Sequence, residues 1–351
     1  MTEHFGDPFR EQRALAHGDA VVVRDECGVI RLSGRDRLAW LDSLVSQEVS
    51  GLAAGESAEA LLLDPNGRVE RVMRIVDDGT NSWILVDGDT HGLASWLDRM
   101  VFRRDVDVAD VSDAFTVVGF FGGGRATSAL APLTAAPNGV PLTWVDPWSS
   151  VASGGWQYSS PAGHPALDWT YREALLEANT PTPGVPEPAG TLALTALRVA
   201  AWRPALADVD ETSLPHEFDW LRSAVHLSKG CYRGQETVAK VHNLGHPPRR
   251  FVSLDLDGSD TTLPEPGWSV ALTDDPEKSV GHVTSAARHF EEGPIALALV
   301  KRSVPADAAL VVRSPDGGII AARQTTIVPS DAGKTLDVPR IKRDRERPTR
   351  S

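Results

Sequence analysis

The sequence predicts an α+β chain of several domains that ends in a small β-barrel. Three observations carry this prediction. The first hundred residues mix short apolar strands with amphipathic helices around an Asn-Gly hairpin turn. A proline-rich stretch at 179–190 cannot be regular helix or central strand. Beyond Arg250 the texture changes to short strands separated by Gly, Pro and Asp turns. At 351 residues the chain is long enough to bury two or three cores.

Taken in order, Ala20 to Val23 and Val29 to Leu32 read as strands. Ser33 then stands at a capping-box distance from Asp36, ahead of a helix whose buried stripe is Leu38, Leu41, Leu44 and Val45. Ala60 to Leu63 and Arg68 to Val76 form a hairpin across Asp64-Pro65-Asn66-Gly67, because Asn-Gly supplies the positive backbone angles of a tight turn. Trp83 to Val86 is a further strand. A helix from Thr90 to Phe102 sets Leu93, Trp96, Leu97 and Met100 on one face. Val117 to Phe121 is a buried strand that leads into Gly122-Gly123-Gly124 and a helix. Another helix is expected over Ala166 to Ala178. The prolines Pro181, Pro183, Pro186 and Pro188 make a stiff connector, after which Thr191 to Ala201 resumes as helix. Strands at Phe251 to Leu256, Ser269 to Leu272, Gly281 to Ala286, Ile295 to Val300, Ala309 to Val312 and Ile319 to Thr325 make the barrel. The predicted division is 1–110, 111–180, a return segment 181–249, the barrel 250–329 and a basic tail 330–351.

Lys and Arg number 35 against 48 Asp and Glu, a formal net charge of −13. An acidic surface disfavours phosphate backbones, so no direct nucleic-acid binding is expected. The sign reverses only in the tail, where Arg340, Lys342, Arg343, Arg345, Arg347 and Arg350 oppose Asp344 and Glu346; such an end reads as solvated and disordered. No apolar run reaches membrane-spanning length, and Met1 to Arg10 resembles neither a secretory nor a transit signal. The expected location is the cytoplasm. Two cysteines, Cys27 and Cys231, cannot complete a structural zinc site, and no metal site is predicted.

Lys229-Gly230-Cys231-Tyr232-Arg233-Gly234-Gln235-Glu236 is the most informative stretch. Two glycines bracket the cysteine and permit a sharp turn. A helix starting at Gln235 would present its positive dipole end to the thiol, and Lys229 and Arg233 would add positive charge if both point toward it. These effects favour a reactive thiolate; the competing reading is a small packed residue, as free cysteines usually are. Cys27, at a strand entry, reads as packing. Gly122 to Arg125 lacks the residues of a P-loop and reads as a tight connection. His242, His246 and the His216-Glu217 pair are weaker candidates for a base.

The octapeptide, continued by Thr237-Val238-Ala239-Lys240, resembles the K-G-C-Y-x-G-Q-E signature of the YgfZ family. Leu197-Arg198-Val199, Leu214-Pro215-His216-Glu217 and Arg249-Arg250 resemble that family's surrounding segments. Leu32 to Asp36 and the Asp64 to Arg68 turn are similar to the folate-binding domain of the T-protein of glycine cleavage, and Gly281 to Ser285 and Ala296 to Ala298 to its C-terminal barrel. The resemblance implies a T-protein-like, aminomethyltransferase-type fold and a tetrahydrofolate or derivative bound centrally. It also implies support of iron–sulfur cluster assembly or repair, including for tRNA-modifying enzymes, with Cys231 as the working residue and iron–sulfur enzymes or assembly proteins as partners. The alternative is a tetrahydrofolate-dependent one-carbon transferase. T-protein enzymes carry paired aspartates where this chain has Glu70 and Arg71, and an acid at the position aligned with Ala200. Trp202, Arg198 and Glu70 are the candidate folate contacts; a tryptophan could stack on a pterin ring.

Overall fold

The computed structural model describes residues 2–181, 184–259 and 262–336. Helix α1 (Pro8–Ala16) starts on a proline behind Asp7, whose carboxylate accepts from the amides of Phe9 and Arg10. Such a cap satisfies donors that a helix start leaves free. Strands β1 (Val22–Val23) and β2 (Cys27–Ser33), helix α2 (Arg37–Asp42), the hairpin β3 (Ser57–Leu63) and β4 (Val69–Asp77), β5 (Ser82–Asp87), helix α3 (Thr90–Met100) and β6 (Asp107–Asp110) follow. Five of these strands form an antiparallel sheet in the order β3-β4-β5-β2-β6.

The sheet is buried on both faces, and the period of two along each strand shows why. Ile30, Leu32, Leu62, Met73, Ile75, Ile84 and Val86 face α2 and α3 with Trp40, Leu41, Leu93 and Leu97. Val29, Leu61, Leu63, Val72, Val76, Trp83 and Leu85 point the other way, into the largest core.

Across that core lies a second antiparallel sheet, β1-β7-β9-β8, with β7 (Phe115–Phe121), β8 (Thr143–Val145) and β9 (Tyr171–Glu177). Val117, Phe121, Tyr171 and Leu175 face inward, while Val118, Phe120, Ala174 and Leu176 pack outward on Ala126 and Leu130 of α4 (Arg125–Leu130). The glycine run before α4 is a tight connection: a Cβ on Gly124 would run into the His17 carbonyl. Helix α5 (Thr191–Ala200) lies in the same core, and α6 (Gln235–Leu244) follows the cysteine motif. Strands β10 (Arg249–Leu256), β11 (Ser269–Leu272), β12 (Asp275–His289), β13 (Gly293–Lys301), β14 (Ala309–Arg313) and β15 (Ile319–Thr326) close into a barrel in the order β10-β13-β12-β11-β14-β15. Its interior is Val252, Leu254, Val270, Val283, Ala298 and Leu310; outward-facing Phe251, Leu297 and Leu299 join the central core.

Three expectations need correction. The helix over Ala166 to Ala178 is instead a short 3-10 turn, Pro165–Asp168, followed by β9. The helix-forming Glu, Ala and Leu residues are overridden because β7 and β8 flank the segment on both sides. Ser33 caps nothing: β2 runs through it, the chain turns at Gly34 (φ +102°), and α2 begins after Asp36 without a side-chain cap. The tail's first residues are not loose, since the Thr335 and Leu336 amides donate to the His242 and Asn243 carbonyls of α6. Tail residues 337–351, with the basic cluster, lie outside the described residues, as does Pro183 of the connector. What precedes α5 returns to the second sheet, where the Ala189 amide donates to the Val21 carbonyl and the Val21 amide to that of Glu187.

Two buried histidines make the fold sensitive to acid. His216, fully buried, donates from Nε2 to the Val238 carbonyl at 3.0 Å, and its Nδ1 has no partner. Burial pushes its pKa down to about 3, and that of His164 to about 4. The unfolded chain takes up these protons below the ordinary value of 6.5 while the native state refuses them, so stability falls as pH drops from about 6.5 toward 3. Asp219, raised by burial to about 6, works in the opposite direction. We expect urea midpoints of wild type and His216→Gln to converge between pH 7.5 and 5, the wild type losing on the order of 2 kcal/mol more than the variant. Parallel pH profiles would contradict this assignment.

Candidate functional site

The two sheets and α5 enclose a cavity of about 570 Å³. Trp144, Trp169 and Tyr171 supply aromatic wall, Val72, Leu194 and Leu206 add aliphatic wall, and charged groups stand among them. On one side, Arg24 Nη1 donates to Glu173 Oε1 at 2.7 Å and to the Tyr171 hydroxyl at 3.1 Å, while its Nε meets Glu26 at 2.6 Å. Arg74 holds Asp87 with two bonds of 2.7 and 2.8 Å, and its Nε lies 2.8 Å from Glu173 Oε2. Burial alone would raise Asp87, but the guanidinium groups of Arg74 and Arg24 outweigh it and hold the carboxyl well below the usual range. On the other side, Arg203 bridges Glu59 (2.6 Å) and Asp146 (3.0 Å). Asp146 also accepts from Trp169 Nε1 at 2.8 Å, and Glu59 from Ser223 Oγ at 2.7 Å. Burial, reinforced by Glu59, raises the Asp146 carboxyl against the opposing pull of Arg203.

Sequence reasoning missed this lattice. Its signal was a charged residue set within apolar strand: Glu59 in β3, Arg74 in β4 and Glu173 in β9. Glu59 and Glu173 are both wholly buried, a position such side chains hold only when paired.

Of the three residues anticipated at the ligand, Arg198 lines the cavity, but its guanidinium is engaged with Asp208 (2.7 Å), Ser285 Oγ (2.6 Å) and the Arg203 carbonyl (2.9 Å). It ties the end of α5 to the barrel. Trp202 is not in the cavity wall; in a left-handed conformation (φ +56°), it turns its ring edge-on to His164 at 5.2 Å. Glu70 faces a separate cavity of about 690 Å³, lined also by Arg68, Arg71, Trp96, Arg99 and Arg233, which shares only Leu206 with the first.

Cys231 is exposed and free, on the turn before α6. The two cations flanking it do not converge on the sulfur. Lys229 is buried, and its ammonium donates to the carbonyls of Asp42 (2.7 Å), Val45 (3.0 Å) and Gln47 (2.6 Å) and to the Asp42 carboxylate (2.9 Å). Burial lowers its pKa while Asp42 opposes the shift. Arg233 reaches Glu70 Oε2 at 2.7 Å and covers the Trp96 ring. Each cation therefore pins one side of the turn to the first sheet's elements. Tyr232 is buried beneath it, 5.6 Å from the Lys229 ammonium, and Gln235 Nε2 donates back to the Lys229 and Gly230 carbonyls. Glu236 is exposed in the first turn of α6. Gly234 (φ +85°) is the glycine that matters: a Cβ there would meet the Asp64 carbonyl at 2.7 Å and Gly67 Cα at 2.9 Å. Gly230 has open space around it.

Cys27 is partly buried, accepts from Arg74 Nη2 at 3.0 Å, and is pushed up to about 12 by burial that Arg74 only partly offsets. It is a packed thiol. His242 bonds Tyr158 (2.9 Å), His246 meets the Ala332 carbonyl (2.8 Å), and Glu217 is taken up by Arg249. Among the described residues no group of three or more His, Cys, Asp or Glu side chains is arranged to hold a metal, and no helix is long and apolar enough to cross a membrane.

No protein-family model matches the chain. It is 28% identical to an aminomethyltransferase from Geobacillus kaustophilus over 324 residues, covering 87% of this chain and 85% of that one. It is 23% identical over 312 residues to a chloroplastic protein of Arabidopsis thaliana with a provisional transferase name, covering 81% of this chain but 66% of that protein. Aminomethyltransferase T of the glycine cleavage system from Bartonella henselae superposes with a TM-score of 0.71 at 15% identity, over 95% of this chain and 92% of that one. The fold is therefore the aminomethyltransferase fold, with its closed six-stranded C-terminal barrel.

The anchoring of the cysteine turn is open to direct measurement. Lys229→Met removes four hydrogen bonds and strands three carbonyls, and should cost about 1–3 kcal/mol in denaturant unfolding. Amide exchange should accelerate at 42–47 and 229–234, leaving the barrel unchanged. Unchanged exchange in the turn would refute the anchoring role.

Proposed function

We propose that this protein is a folate-binding accessory factor of the YgfZ type, which supports iron–sulfur cluster assembly or repair in client enzymes, tRNA-modifying enzymes included, through Cys231. The observation that carries the reading is the contrast between its two thiols: Cys27 is packed against Arg74, whereas Cys231 stands exposed on a turn pinned by Lys229 and Arg233. A rigidly presented, accessible sulfur suits a ligand or nucleophile toward another molecule. A single thiol cannot complete a cluster's coordination, so the remaining ligands come from the client or a carrier. The cluster is thus cargo.

The central cavity's donor set is compatible with a reduced folate. A pterin presents an edge of N–H donors, and the buried Glu26 Oε2 atom has no hydrogen-bond partner. That carboxylate would hold the donor edge, and Trp144 and Trp169 would wall the ring. A bound folate would supply one-carbon chemistry. The chain's own groups bind and orient it and exclude water.

A second reading, a tetrahydrofolate-dependent one-carbon transferase, is favoured by the named activity of the Geobacillus relative. Against it, Glu70, at the place of the paired aspartates, is bound to Arg233, and its neighbour Arg71 is no acid at all; a general acid or base has to be present and free before it can be tuned.

Cys231→Ser should leave thermal stability and tetrahydrofolate affinity within about twofold of wild type, and abolish support of cluster-containing enzymes in cells lacking the native protein. Normal client activity in those cells would sink the cluster reading. Absence of tetrahydrofolate binding in calorimetric titration would sink the folate reading separately.

A further inference from the structure

The lattice around the central cavity neutralises its arginines in full and leaves carboxylate over. Four arginines line the cavity, Arg24, Arg74, Arg198 and Arg203, and among the described residues no lysine or histidine does. Arg198 is matched from behind the wall by the buried Asp208, which is not part of the lining. That leaves three guanidinium groups for five lining carboxylates, Glu26, Glu59, Asp87, Asp146 and Glu173. Even with a proton on Asp146, which burial favours, one carboxylate stays in excess.

No arginine is left to receive an anion. Arg24 is shared among Glu26, Asp87 and Glu173, Arg74 between Asp87 and Glu173, and Arg203 between Glu59 and Asp146. Glu26 gives Oε1 to Arg24 and keeps Oε2 buried without a partner. An adjoining cavity of about 350 Å³ shares Arg24, Glu26 and Gly88 with the first and has the same sign. Its lining adds the exposed Asp25 and Asp113, neither ion-paired among the described residues, and no further cation. A carboxylate shielded from water and lacking a partner is costly, and an entering cation relieves that cost.

We infer that the central cavity selects a reduced folate whose one-carbon unit is positively charged, the amidinium bridge of methenyltetrahydrofolate. The inference rests on the folate reading above and adds to it the charge state of the ligand. A metal ion is not the match, because no three of these carboxylates are arranged to hold one. A cation delocalised over two nitrogens is weakly hydrated and loses less on leaving water. Glu26 stays at the donor edge of the ring and acts on the bridge from there, since a unit charge at low effective dielectric is felt across several ångströms.

Equilibrium dialysis of the full-length protein against two ligands tests this. One is methenyltetrahydrofolate; the other is folinate, the formyl form at the same oxidation level, whose ring system is uncharged. Mildly acidic buffer preserves the bridge and leaves ordinary carboxylates ionised. Methenyltetrahydrofolate should bind about tenfold more tightly, and the ratio should persist at about 0.3 M salt, where attraction to the acidic surface is screened. Glu26→Gln keeps an acceptor for the ring's donor edge and removes only the charge. It should cut the ratio at least about threefold and leave folinate affinity within about twofold. Equal affinity of wild type for the two ligands overturns the inference and leaves the folate reading intact; this comparison needs no variant to fold. A ratio unchanged by Glu26→Gln, in a variant that melts with wild type, overturns it as well. Failure of both ligands to bind removes the folate reading itself, and this inference with it.

Discussion

Everything central in this molecule depends on one constraint: guanidinium and carboxylate groups placed between two apolar sheets must neutralise one another. Arg24 and Arg74 come from the first hundred residues, Glu173 from β9 of the second sheet. Arg203 after α5 reaches both Glu59 of β3 and Asp146 after β8. Arg74–Glu173 crosses from the first sheet to the second, and Arg203 bridges the same two layers, so the lattice sets how the layers face each other and keeps a polar cavity open where hydrocarbon would otherwise close. A buried ion pair seldom adds stability over a well-packed apolar substitute. Its retention here is accounted for by the cavity that it lines.

The cysteine turn obeys a similar logic at the surface. Its flanking cations look, in the sequence, like activators of the thiol. The structure uses them as pins, one into the carbonyls that follow α2 and the other onto Glu70. What they contribute to Cys231 is a fixed position. Arg198 likewise serves the architecture, binding α5 to Ser285 of the barrel, although it borders the cavity.

Much of the fold could be read directly from residue pattern. The Asn-Gly hairpin, the α3 stripe and the six barrel strands all follow from local periodicity and turn chemistry; their bounds lie close to expectation except for β12, which runs from Asp275 to His289 against the expected Gly281 to Ala286. The misses share one cause. β9 is composed of residues that favour helix, and only its two flanking strands make it a strand. The direction of the Lys229 ammonium depends on carbonyls some 180 positions away in the chain. Trp202 seemed a natural ring for a ligand, yet its left-handed backbone turns it toward His164 while Trp144 and Trp169 take the cavity wall. Local pattern reports what a segment can be, and long-range contact decides which way its side chains face.

The backbone contact between the hairpin turn and the start of α6 has a kinetic implication. Gly67 and Gly234 meet with no room for a Cβ on either, and closing that loop joins the first fifth of the chain to a point two thirds along it. Contacts this distant in sequence form slowly, because the loop entropy is lost before the contact rewards it. The sulfur-bearing turn consequently gains its fixed position late, and until Gly67 and Gly234 have met the Cys231 thiol is carried on a mobile segment.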